Sequence, residues 1–292
     1  MPRKWMELLA QVPNDIAEDA SGLLIESGAA AVETRGARRG QAVLVTHFLL
    51  EPGATEKLRA AEAALASFGV DGTAISVRNI EEVDWVTRAR EKFTARDYGR
   101  RIRVRPPWDE SKTPPERVEI ILEPSLAFGT GRHSSTHLCL LAIERMYRER
   151  PPERFLDVGC GSGILSAAAL KLGAKEVLAL DLDPIAVDSA RDLAKANNLS
   201  GRMRVEVGTL EPGAVGEWWG QVDTLAANIF LNPLRMMAPR MNEALAPGGR
   251  AVLCGIGYEQ IEKLAEAVEE AGLEIRRTSR LEEWGSLEVE KP

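Results

Sequence analysis

The sequence predicts two folded parts in tandem: a small α+β unit of ferredoxin-like type, then an α/β unit built on a doubly wound, mostly parallel, Rossmann-like sheet. Three observations predict this. The first 80 residues read β-α-β-β-α-β, the order of a split βαβ unit. From residue 117 onward, short apolar runs alternate with amphipathic segments, as a parallel sheet covered by helices requires. One strand–helix junction, FLDVGCGSGILSAAA at 155–169, is rich in glycine, as suits a ligand-binding turn at the edge of such a sheet. The length of 292 residues accommodates about two domains.

In the first unit, RKWMELLAQV (3–12) is β-capable and stops at Pro13. NDIAEDASGLLIESG follows as a helix: Asn14 is a candidate N-cap, Ile16, Ala20, Leu23 and Leu24 recur at helical spacing, and Gly28 ends it. AAAVETR is a short strand and AVLVTHFLL (42–50) a stronger one. ATEKLRAAEAALASFG (54–69) is a helix with Leu58, Ala61, Leu65 and Phe68 on one face, and AISVRNI (74–80) alternates like a strand. The charged EEVDWVTRAREKFTARDYG (81–99) has helical period and leads into RRIRVRPPW, where Pro106 and Pro107 break regular structure. Two readings fit it: a linker helix plus a strand, or the last helix of the first unit. The expected division is 1–80, a linker at 81–105, and 106–292.

In the second unit RVEIILE (117–123) is a strand and a helix starts near 134. Strands RFLDVGC, EVLALDLD, VDTLAAN and GGRAVLCGI alternate with helices GILSAAALKLG, PIAVDSARDLAKANN, PLRMMAPRMNEAL and YEQIEKLAEAVEEAG. EIRRTSRLEEWGSLEVE closes the pattern as β-rich sequence.

Composition narrows the function classes. No apolar run reaches the ~18 residues of a membrane span, and MPRKWMELLAQVPND turns polar before a secretory apolar stretch forms; a cytoplasmic protein without a membrane partner is expected. The net charge of −7 disfavours general nucleic-acid binding. Cys139, Cys160 and Cys254 are scattered, without CxxC spacing, which argues against a disulfide framework or a structural zinc site. His133 and His137, four apart, make at most half a metal site, so no metal is expected. The tryptophans are read as core or linker packing, with Trp284 also a candidate for the substrate entrance.

The glycines of the central junction are Gly159, Gly161 and Gly163. A dinucleotide fingerprint would place its third glycine three after the second, where this chain has Ile164. Asp157 at the strand end would repel a pyrophosphate and favour a ligand with ammonium and sulfonium groups, such as S-adenosylmethionine. Asp181, 22 positions after Gly159, ends the next strand, where a carboxylate takes ribose hydroxyls. Asp183, before Pro184, reads as the cap of the following helix. Asn228 ends the strand VDTLAAN at the same sheet edge; its amide either orients an incoming amine, as a catalytic residue, or caps the helix that holds Pro233.

Taken in order, AFGTGRHSST (127–136), DVGCGSGILSAAALKLGA, DLDPIAV, AANIFLNPL, LCGIGYEQ and EEWGSLEV resemble the bacterial methyltransferases of ribosomal protein L-eleven (L11), class I enzymes that use S-adenosylmethionine. WMELLAQVP and DWVTRAREKF resemble the family's substrate-recognition domain and linker, so the resemblance spans nearly the whole chain. The glycine and aspartate motifs are common to many class I methyltransferases; AFGTGxH together with ANI is far more specific. The resemblance implies methyl transfer to lysine side-chain amines and the N-terminal α-amine of L11, free or on the ribosome, with the target held by the ferredoxin-like domain. It matches cofactor contacts to Thr136, Gly159, Asp181 and Asn228. AFGTG then reads as a second wall of the pocket: Phe128 shields the sulfonium, and Gly129, Thr130 and Gly131 fold over the ligand. The chain departs from the family at Ser135, where a threonine is usual, and at Arg132, where a small or polar residue is common. His133 is a general-base candidate by type only. Two other readings stay open: a lysine methyltransferase acting on an electron-transfer flavoprotein subunit, and a non-catalytic cofactor-binding module. A monomer is expected.

Overall fold

The computed structural model describes residues 4–29, 32–38, 40–81, 93–124, 131–149 and 152–292. The chain divides into two compact units, Met1–Lys92 with Pro124–Phe128, and Phe93–Glu123 with Gly129–Pro292.

Unit 1 comprises β1 (Lys4–Pro13), α1 (Ala17–Glu26), β2 (Val32–Arg38), β3 (Gln41–Leu49), α2 (Ala54–Ser67) and β4 (Ile75–Glu81). Its sheet runs β2-β3-β1-β4, with every pair antiparallel, which is the ferredoxin-like arrangement. The alternation in β1 sends Met6, Leu8, Ala10 and Val12 into one core with Leu24 of α1 and Ala61 and Leu65 of α2. Asn14 does not cap α1: a 3-10 turn intervenes, no side-chain cap bond forms, and the Asn14 amide donates to Gly40 O at 3.1 Å.

Unit 2 opens with a three-stranded sheet, β5 (Arg96–Tyr98), β6 (Ile102–Arg105) and β7 (Val118–Ile121). The helix expected over 81–99 therefore gives way to a strand at its end, and RVEIILE joins this small sheet, not the large one. The reason is local: Gly99, at φ +55, lets the chain turn so that Tyr98 pairs with Ile102. The rest of that expected helix, residues 82–92, including Trp85, lies outside the described residues.

The large sheet follows: α3 (Ser134–Glu149), β8 (Arg154–Val158), α4 (Ile164–Leu172), β9 (Glu176–Asp181), α5 (Pro184–Ala196), β10 (Met203–Val207), α6 (Pro212–Val215), β11 (Val222–Asn228), α7 (Leu231–Ala244), β12 (Leu245–Gly257), α8 (Ile261–Glu270), β13 (Glu274–Leu281) and β14 (Trp284–Glu290). Its order is β10-β9-β8-β11-β12-β14-β13, parallel from β10 to β12 and antiparallel thereafter. The five-residue strand MRVEV, β10, is an element the sequence reading does not anticipate. Alternate residues of the buried strands serve two cores. Phe155 and Val177 face α3, α4 and α5, whereas Leu156 and Leu178 face α7 and α8. Among the described residues no helix is long and apolar enough to cross a membrane.

Side chains lock the small sheet to the large one. Asn197, 3% exposed, accepts from the Ile121 amide at 2.8 Å and donates to its carbonyl at 2.7 Å, so it stands in for a missing neighbour of β7. Glu144 of α3, 1% exposed, accepts from the amides of Arg100 and Arg101 and pairs with Arg148.

Candidate active site

Parallel strands feed their C-terminal ends to one edge, and the strand order reverses between β8 and β11. Chains leaving neighbouring strands there depart to opposite faces, which opens a crevice for a ligand. The register places the three key junctions side by side: Val158 of β8 pairs with Leu180 of β9 and with Ala227 of β11. Gly159, Asp181 and Asn228 each come one residue later.

The turn after β8 needs its glycines for different reasons. Gly159, at φ +71, donates to Leu180 O at 2.8 Å, and a Cβ on it would fall 2.5 Å from Ile229 Cγ2. Gly161, at φ +53, donates to Asp181 Oδ2 at 2.9 Å. Gly163, at φ +78, lets α4 pack closely: a Cβ would meet Met203 Cε at 2.8 Å and Ala190 Cβ at 3.0 Å. The first two shape the crevice; the third serves helix packing.

Asp181 also accepts from the Asp183 amide through Oδ1 at 3.0 Å, so two backbone donors aim its carboxylate. Burial raises its pKa, and the amides of Asp183 and Gly161 hold part of that rise back. Asp183 itself caps α5, accepting from Ile185 N at 2.8 Å with Pro184 in the first turn, as the sequence reading of Asp183 expects. Two apolar side chains that the sequence reading passes over flank Asp181: Leu182 is 72% exposed and Val207 56%. Exposed leucine between two aspartates at a strand end was the available signal.

Asp157 differs from the expectation of a carboxylate facing the ligand. It is 1% exposed and lies beneath the glycine turn, with Oδ2 accepting from Ser166 N at 3.1 Å and Ser166 Oγ at 2.6 Å, and Oδ1 without a hydrogen-bond partner among the described residues. Burial pushes its carboxyl up to about 7 against the pull of the Ser166 bonds, and the Asp181 charge adds to the rise.

On the other side of the crevice, Asn228 Nδ2 lies 3.5 Å from Thr136 Oγ1, a long contact that joins β11 to the first turn of α3. The Ile229 amide is held by Cys254 O at 3.0 Å. The two histidine rings have different partners. His133 Nδ1 meets Ser135 Oγ at 2.6 Å and accepts from Ser135 N at 3.3 Å, the work of a helix cap, while its ring packs edge-on to Trp284 at 4.3 Å. Ser135 thus uses the hydroxyl it shares with threonine. His137 packs against Tyr98 at 5.0 Å; burial, then the Arg96 charge, lower its pKa, so it is neutral at pH 7. Cys139, Cys160 and Cys254 are buried free thiols. Phe128, Gly129 and Thr130 lie outside the described residues; Gly131 and Thr136 lie within them.

The acceptor-rich character of the edge is now defined. Segments 157–163, 181–184 and 226–230 contain no lysine or arginine. Carboxylates suit hydroxyl and cationic groups, and the exposed apolar pair suits a flat ring; nothing in these segments would neutralise a phosphate.

Comparison with known proteins agrees. The family model for "Ribosomal protein L11 methyltransferase (PrmA)" matches residues 4–292. A ribosomal protein L11 methyltransferase of Ralstonia nicotianae is 41% identical over 223 residues, covering 76% of this chain and 71% of that protein. One from Shewanella sp. (strain W3-18-1) is 31% identical over 297 residues, covering 97% of this chain and 98% of that one. The crystal structure of ribosomal protein L11 methylase from Lactobacillus delbrueckii subsp. bulgaricus superposes with a TM-score of 0.60 at 30% identity, covering 68% of this chain and all of that one. The chain belongs to the ribosomal protein L11 methyltransferase family.

Proposed function

We propose that this chain methylates ribosomal protein L11 at lysine side-chain amines and at the N-terminal α-amine, with S-adenosylmethionine as the methyl donor. It is an S-adenosylmethionine-dependent protein methyltransferase by family. The observation that carries the residue assignments is the juxtaposition of Asp181, the Gly159–Gly163 turn and Asn228 at the strand-order reversal. When bound, the cofactor supplies a methyl group already activated by its sulfonium.

The chain's own residues bind and orient. Asp181, aimed by two amides, accepts from the ribose hydroxyls, and Leu182 and Val207 cover the adenine faces. Gly159 and Gly161 bring bare backbone to the amino-acid end, with Thr136 closing the opposite side beside Gly131. Gly163 supports this turn through α4, with Asp157 beneath it hydrogen-bonded to Ser166. Phe128, Gly129 and Thr130, outside the described residues, are assigned to the cofactor by the family resemblance of AFGTG alone. Asn228 is the catalytic residue: its Nδ2 is directed to Thr136, which leaves Oδ1 to accept from the amine and hold its lone pair in line with the methyl carbon. Positioning of this kind is worth a large effective molarity. A lysine must first lose its proton; a site closed to water lowers its pKa toward neutrality.

The ferredoxin-like unit holds the target in this reading. One copy of the chain suffices in this reading, since Thr136, Gly159, Gly161, Gly163, Asp181 and Asn228 all belong to unit 2. The setting is the cytoplasm, without membrane or nucleic-acid partners, in keeping with the charge of −7. The test is transfer of labelled methyl from S-adenosylmethionine to purified L11, with Asn228→Ala alongside. The variant is expected to lose on the order of 100-fold in kcat. A wild-type protein that labels no ribosomal protein sinks the proposal.

A further inference from the structure

Residues 93–98, which open unit 2, are stitched to the start of α3. Tyr98, 1% exposed, donates its hydroxyl to Gly131 O at 2.6 Å, and its ring meets His137 at 88°. Arg96 lies over the Tyr98 ring at 5.4 Å and donates to Arg132 O at 3.4 Å. Arg132 reaches back: its guanidinium covers the Phe93 ring at 4.7 Å and donates to Thr94 O at 3.3 Å. Arg132, one of the two departures from the family pattern, therefore has a defined place, as half of a clamp.

Gly131 is the point where this clamp acts. At φ +71 it is wedged: a Cβ there would fall 2.8 Å from Ile164 Cδ1 and 3.2 Å from Leu122 Cδ2. Ile164 begins α4, directly after the glycine turn. The carbonyl fixed by Tyr98 thus belongs to a backbone packed against the base of the cofactor turn. From Gly131 the chain runs into the first turn of α3, where the Thr136 hydroxyl meets the Asn228 amide. A hydrogen bond in a buried setting is directional, and its loss leaves the carbonyl unpaired.

We propose that Tyr98 is a positioning residue for the S-adenosylmethionine site, acting through Gly131 and the start of α3, with Arg132 on Phe93 and Thr94 as the second half of the same clamp. This rests on the site assignment under Proposed function. The experiment compares full-length wild type, Tyr98→Phe and Arg132→Ala by calorimetry with S-adenosylmethionine, by steady-state methylation of L11, and by thermal melting. Tyr98→Phe keeps the ring and removes only the hydroxyl; cofactor Kd and KM are expected to rise about tenfold, equivalent to ~1.4 kcal/mol, with kcat at saturation within about twofold. Arg132→Ala, on a half-buried side chain, is expected to raise Kd about threefold. A melting temperature that falls while the Kd of folded Tyr98→Phe stays at the wild-type value overturns the inference, since a merely structural role predicts that pattern. Should Tyr98→Phe not fold, an Arg132→Ala protein with wild-type Kd overturns it equally. A wild type that binds no S-adenosylmethionine instead removes the site assignment, and the inference with it.

Discussion

Asp157 should make the protein less stable as pH rises from about 4 to 7. Its carboxyl is pushed from an ordinary 3.8 to about 7 in the folded chain. At about 1.4 kcal/mol per tenfold in proton affinity, that gap is worth about 4 kcal/mol, a large share of a domain's net stability of roughly 5–15 kcal/mol. The sign follows from linkage. A group whose folded pKa is raised contributes stability that is fully present below its unfolded value, and that contribution is lost as pH rises through the folded value. The window is therefore about pH 4 to 7, and above it the ionised carboxylate sits buried with Oδ1 unpartnered. Asp157→Asn keeps an acceptor for Ser166 and cannot ionise. Other groups titrate in the same range, so the informative quantity is wild type minus variant, from urea unfolding at pH steps between 4 and 8. That difference should fall by about 4 kcal/mol across the window. A difference that stays flat refutes the argument, because it would mean that Asp157 keeps the same pKa folded and unfolded.

Two further substitutions probe the site and its support. Asp181→Asn keeps one acceptor for the Gly161 or Asp183 amide but removes the charge, and should weaken S-adenosylmethionine binding by roughly 10- to 100-fold; equal calorimetric Kd values for variant and wild type would count against the ribose assignment. Asn197→Ala strands both the amide and the carbonyl of Ile121 and should cost about 2–4 kcal/mol in unfolding free energy, read from urea midpoints, with an unshifted midpoint as the contrary result.

Much of the architecture can be read from the chain because its signals are local. Alternation in β1, apolar runs in β8 and β9, and Gly28 after α1 each report on their own neighbourhood. The glycine turn, Asp181 and the Asp183 cap are legible for the same reason, since a strand end and a helix start leave marks within a few residues. The small sheet is harder. β5 has three residues and β6 four, rich in arginine, and pairing across Gly99 and with β7 makes them strands. Asn14 satisfies the composition rule for a cap, yet a 3-10 turn starts there. The packing of His133 on Trp284 and the clamp from Tyr98 to Gly131 join residues distant in sequence, and no short window along the chain contains both partners.

The placement of β14 has a consequence for how the fold is reached. This strand lies between β12 and β13, although β13 precedes it in the chain. Until β14 docks, the edge of β12 that it covers is open. A long apolar edge in that state is a template for wrong pairing, whether with another copy or with a neighbouring strand of the same chain. Closure comes when residues 284–290 slot in and satisfy both neighbours at once, so the sheet should form late and cooperatively, with the contacts of Trp284 among the last to appear.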